Sequence, residues 1–100
     1  MEEYKIRILP QAQIDALDIV EHLNSLAPEA AEQYYDRFVA EISLLAEKPE
    51  SSMPAKDTQL RLRGYRTVQI SDYLVFYVVK ANIVELRRIL YANRQYEQLY

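Results

Sequence analysis

Three apolar stretches separated by short polar turns fill most of the last third of this chain and restrict its fold. They are residues 64–70 (GYRTVQI), 71–79 (SDYLVFYVV) and 83–90 (IVELRRIL). Their β-branched and aromatic residues recur with a period of two, which predicts three strands. Ser71-Asp72 supplies one tight turn. Lys80-Ala81-Asn82 supplies the other, with Asn82 suited to a left-handed conformation. Connections this short make the strands an antiparallel meander. Tyr73 to Val79 is nearly all apolar, which predicts a central strand buried on both faces.

Upstream, Tyr4, Ile6 and Ile8 alternate with Lys5 and Arg7 and predict a further strand, stopped at Pro10. The period then changes. Ala12, Ala16, Ile19, Val20 and Leu23 recur at helical spacing to about Leu26. Ile14 and Leu17 lie off that stripe, and either widen the apolar face or mark a partner surface. Pro28 suits the first turn of a second helix, whose Ala31, Tyr34, Tyr35, Phe38, Ile42 and Leu45 keep the period to about Glu47. The tight link predicts an antiparallel helical hairpin. Residues 49–59 (PESSMPAKDTQ) read as a loop. The expected fold is therefore α+β, in the order β-α-α-β-β-β. The hairpin covers one face of a small, mostly antiparallel four-stranded sheet, and the other face stays partly open.

One hundred residues, half of them hydrophobic, suffice for one domain over 1–100 with a packed core. No cysteine is present, so disulfides and thiolate metal sites are excluded. A single glycine leaves no Gly-rich phosphate loop. No cofactor or metal is expected. Neither a leader nor a membrane span is legible, so the expected setting is cytoplasmic, with no membrane partner. The only histidine, His22, sits among Ile19 and Leu23 and reads as a packing or surface residue. Charge is uneven: residues 1–50 hold 4 Lys/Arg against 11 Asp/Glu, and residues 51–100 hold 8 against 4. A basic sheet face reserved for an anionic partner would account for that split. Nine tyrosines and no tryptophan suit partner surfaces, and the tail from Tyr91 carries Arg94, Tyr96 and Tyr100.

Four segments in this order resemble the RelE/ParE superfamily: LPQAQIDALDIVEHL, LLAEKP, LRGYRTVQISDYLVFYVV and RRILYANRQYEQLY. The resemblance spans nearly the whole chain. It implies a toxin of a type II toxin–antitoxin module, of the kind also described as plasmid-stabilisation proteins, neutralised by a cognate antitoxin. Operator DNA would then be reached only through that antitoxin. RelE-like members cleave mRNA in the ribosome; ParE-like members inhibit DNA gyrase and are not nucleases.

RNA cleavage by the 2′-hydroxyl needs a base, an acid and cations around the phosphorane. The RelE-like pattern implies Arg66, Arg94 and Tyr100 as that machinery. Two positions depart from it: Leu74 stands where a strand arginine is expected, and Val68 where a second cation is expected. Neither can stabilise an anion. The segment LYANRQY resembles the ParE-like ending, with Gln95 in place of its usual acid. The ParE-like side is therefore favoured, with Arg66, Arg87, Arg88, Tyr91, Arg94 and Tyr96 as the target- or antitoxin-binding residues. The alternatives are a ribosome-dependent endoribonuclease and a non-toxic, antitoxin-binding co-repressor.

Overall fold

The alternating segments become paired strands, and the helical stripes fold over one side of them. The computed structural model describes residues 3–92, so the predicted roles of Arg94, Tyr96 and Tyr100 lie outside the described residues. In chain order the elements are β1 (Lys5–Ile8), α1 (Pro10–Leu26), α2 (Pro28–Glu47), β2 (Met53–Pro54), α3 (Thr58–Leu62), β3 (Arg66–Ile70), β4 (Tyr73–Lys80) and β5 (Ile83–Tyr91). The sheet has five strands in the order β1-β5-β4-β3-β2. Strands β2 to β5 pair antiparallel, while β1 returns after the hairpin to run parallel to β5, with Ile6 opposite Val84.

Helices α1 and α2 each start with proline at the first turn, where a missing N–H costs nothing. Ala27 ends α1 and begins α2 in an extended conformation, its N–H donating to the Leu23 carbonyl at 2.9 Å. One residue thus makes the whole link and forces the helices antiparallel. Against them, one face of the sheet contributes Ile70, Val75, Tyr77, Val84 and Leu86, none measurably exposed. Full burial of side chains of this size is worth roughly 1.5–3 kcal/mol each.

The stretch predicted as a loop holds two further elements. Met53 and Pro54 pair with Thr67 and Arg66, adding an edge strand. Asp57 then caps α3, its Oδ1 accepting from the Leu60 N–H at 3.1 Å. Through Leu60, Ala55 and Tyr65, this segment covers Phe76, Val78 and Leu90 on the sheet's second face. That face is therefore part core, not simply open.

A bulge in β5 corrects the predicted alternation. Phe76 pairs with Arg88 but Tyr77 pairs with Leu86, leaving Arg87 as the extra residue. Val84, Leu86 and Ile89 consequently share the helix-side core, while Leu90 joins the second one. The turns differ as well. Ser71 (φ 57°) and Ala81 (φ 53°) take the positive φ, not Asn82.

Candidate functional site

The predicted cations have different surroundings, and the sheet explains why. Arg66 lies opposite Tyr77, so both face the helices. The Arg66 guanidinium donates from Nη2 to the carbonyls of Glu50 (3.0 Å) and Ser52. Tyr77, wholly buried, donates to the Pro49 carbonyl at 2.6 Å and also meets the Ser52 hydroxyl. Together these two side chains clamp the connection leaving α2. Val68 shares this helix-facing side, whereas Leu74, opposite Gln69, packs with the second-face core. The two positions that depart from the nuclease pattern thus lie on opposite faces.

Arg88 is held by α1. Its Nε and Nη2 donate to Asp15 at 2.8 and 3.2 Å, and the Ile89 N–H donates to the same carboxylate at 2.9 Å. The reason is topological. Strand β1 ends at Ile8, opposite Leu86, so the β5 edge beyond it has no strand partner there. Asp15, 8% exposed, takes that place. The sequence signal for it was an acid three residues after Ala12 and four before Ile19, on the buried stripe of α1.

Beside this joint, Asp18, His22, Tyr73 and Tyr91 border a cleft of about 340 Å³. Tyr91 packs edge-on against Tyr73 at 5.7 Å, and Tyr73 does so against Tyr34 at 5.5 Å. Burial, and then the neighbouring tyrosine, pushes the Tyr34 phenol well above its ordinary range. Burial, and then Asp72 and Tyr91, also raises Tyr73. Neither phenol can serve as a base near neutral pH.

Arg87 occupies the second face. It donates to Glu85 Oε1 at 3.0 Å and lies over the Tyr65 ring at 5.7 Å. Arg7 and Lys80 stand 3.9 and 3.7 Å from the same carboxylate. The hydrogen bond from Arg87 holds the Glu85 carboxyl below its ordinary 4.5 against the opposing effect of burial, and the charges of Lys80 and Arg7 add to it. A depressed folded-state value stabilises the fold above 4.5 and loses that contribution as the pH falls through it. Urea unfolding of the wild type and Glu85→Gln should therefore differ most near neutrality and converge in acid. A gap that widens in acid would contradict the assignment.

The outer side of the hairpin holds an apolar groove of about 330 Å³ lined by Ile8, Ala16, Leu17, Val20, Tyr35 and Phe38. Leu17 is 65% and Tyr35 60% exposed, and Val39 beside them is 45% exposed. These side chains make the hairpin's outer surface apolar at this groove. Among the described residues no group of His, Cys, Asp and Glu could hold a metal ion, and no helix is long and apolar enough to cross a membrane.

Residues 6–96 match the family described as the ParE toxin of the type II toxin–antitoxin system parDE. No curated protein matches the chain. Among solved structures it is similar to a chain of the chromosomal ParDE toxin–antitoxin system from P. aeruginosa. The TM-score is 0.74 at 19% identity, covering 91% of this chain and 98% of that one. It is also similar to a chain of the RelBE2 toxin–antitoxin complex from Mycobacterium tuberculosis. There the TM-score is 0.58 at 20% identity, with 93% and 97% covered.

Proposed function

The chain belongs to the family of ParE toxins of type II toxin–antitoxin systems, and on that premise we propose that it inhibits DNA gyrase, cuts no RNA and is silenced by a cognate antitoxin. The observation that carries the choice of target is the position of Arg66. Its guanidinium binds the carbonyls of Glu50 and Ser52 in the connection leaving α2. The one strand cation of the nuclease pattern therefore holds the fold together. Leu74 and Val68 supply no replacement, and loss of even one such donor typically costs on the order of 100-fold in rate. Inhibition by binding needs no such cluster; Tyr91, Arg87 and the basic, aromatic tail can supply the contact surface.

The apolar groove of the hairpin supports the antitoxin reading. An apolar segment laid against Leu17, Val20 and Tyr35 would bury side chains that water now reaches. Both similar structures come from toxin–antitoxin systems, which agrees with such a partner.

Purified protein should inhibit gyrase supercoiling and leave ribosome-bound mRNA uncut. Arg94→Ala should weaken that inhibition several-fold with thermal stability unchanged. Codon-position cleavage in translating ribosomes, abolished by Arg94→Ala, would place the protein with the endoribonucleases. Neither activity in folded protein that still binds its antitoxin would favour a non-toxic co-repressor.

A further inference from the structure

We propose that the second face of the sheet, where β1, β5 and β4 lie side by side, docks onto the phosphate backbone of duplex DNA. This differs from the expectation that operator DNA is reached only through the antitoxin, and it holds whichever enzyme the toxin inhibits.

The patch consists of Lys5 and Arg7 on β1, Glu85 and Arg87 on β5, and Lys80 at the end of β4. Arg87, Lys80 and Arg7 lie 3.0, 3.7 and 3.9 Å from the Glu85 carboxylate, and Lys5 lies two residues before Arg7 on β1. Glu85 is 9% exposed and is neutralised at close range by Arg87. Arg7 and Lys80 lie farther from it, and their side chains are 62% and 63% exposed. They can turn to an external anion without unpairing a buried charge. Three adjacent strands spaced about 4.8 Å apart place the cations across a span of roughly 10 Å. That is close to the width of the major groove of B-DNA, about 12 Å, so phosphates on its two edges fall within reach.

The neighbouring residues select among anions. Single-stranded nucleic acid is held largely by bases stacked on exposed aromatic rings. Tyr65 is 8% exposed beneath Arg87, and Tyr91 packs on Tyr73 at the cleft beside α1. The patch therefore offers no stacking platform among the described residues. An acidic peptide would need apolar anchors at the centre of its interface. The large exposed apolar side chains lie on the hairpin, at Met53, at Leu62 and at Tyr91, and within the patch only Ile83, between Lys5 and Lys80, is apolar and partly exposed. A strongly positive surface with one half-buried apolar residue and no large anchor fits a phosphate backbone. The opposite side of the molecule reinforces the orientation. Helices α1 and α2 carry eight carboxylates against the single Arg37, so a polyanion is repelled from the hairpin and meets the sheet.

The test is fluorescence anisotropy of the full chain with a labelled duplex of about 20 base pairs over a salt series from roughly 50 to 200 mM. Three phosphate contacts, from Lys5, Arg7 and Lys80, predict a slope of log K against log salt of about −2.7, and Arg7→Gln/Lys80→Gln should flatten it to about −0.9. Lys5→Gln, a single exposed change, should remove about 0.9 and guards against misfolding of the double variant. The proposal is overturned by no duplex binding at the lowest salt or by an unchanged slope in both variants. Tighter binding of single-stranded RNA of the same length, or of polyglutamate, would equally overturn it.

Discussion

Asp15→Ala is expected to destabilise the protein by about 3–5 kcal/mol, because it leaves the Arg88 guanidinium without its counter-ion and the Ile89 N–H without an acceptor. The larger part of that cost belongs to the groups left behind, not to the lost attraction. Arg88 has only 19% of its side chain exposed, so water can re-solvate it only in part. The companion experiment is Asp15→Ala/Arg88→Met, which removes the stranded charge and should recover a good part of the loss. Urea unfolding of the two single variants and the double would measure the coupling. A loss below about 1 kcal/mol for Asp15→Ala would mean that the joint is solvated and that α1 is held to β5 by apolar packing alone.

Tyr77→Ala should be comparably severe, on the order of 3–5 kcal/mol, from removal of a ring with no measurable exposure. Tyr77→Phe separates the two jobs of this residue. It keeps the ring but releases the Pro49 carbonyl and the Ser52 hydroxyl, for an expected cost of about 1–3 kcal/mol. Phe38→Ala should cost less than Tyr77→Ala because Phe38 is only partly buried at the margin of the core. Thermal midpoints that rank Phe38→Ala as the more damaging would show that the helix–sheet interface carries more of the stability than the centre of β4.

The elements that could be read from the sequence are those whose burial repeats along a single segment. Tyr73 to Val79 has to be central because both of its faces are apolar, and the two proline-started helices announce themselves through Ala12, Ile19, Tyr34 and Leu45. What could not be read depends on partners distant in sequence. Met53 and Pro54 have no strand pattern of their own and become β2 only because Arg66 and Thr67 present an unpaired edge. The bulge at Arg87 is invisible in composition, yet it sends two adjacent arginines to different partners, Arg87 to Glu85 and Arg88 to Asp15. Arg66, expected from the resemblance as a phosphate-stabilising cation, binds carbonyls because Tyr77 lies opposite it and fixes which way it faces. Of the proposed site residues, the sequence conveyed the residue type and strand well and the direction of each side chain poorly, since direction depends on register.

The parallel pairing of β1 with β5 also has a consequence for when the protein becomes active. Ile6 waits for Val84, which is made 78 residues later, and Leu9 waits for the Leu86 carbonyl. At about 5–20 residues per second that interval is roughly 4 to 16 s, during which the hairpin can form but the sheet cannot close. The groove formed by Leu17, Val20 and Tyr35 belongs mostly to the hairpin, so most of it exists before the sheet that completes the toxin. On the proposal that the antitoxin occupies this groove, one already present in the cell would meet its site on the nascent chain ahead of any finished toxin.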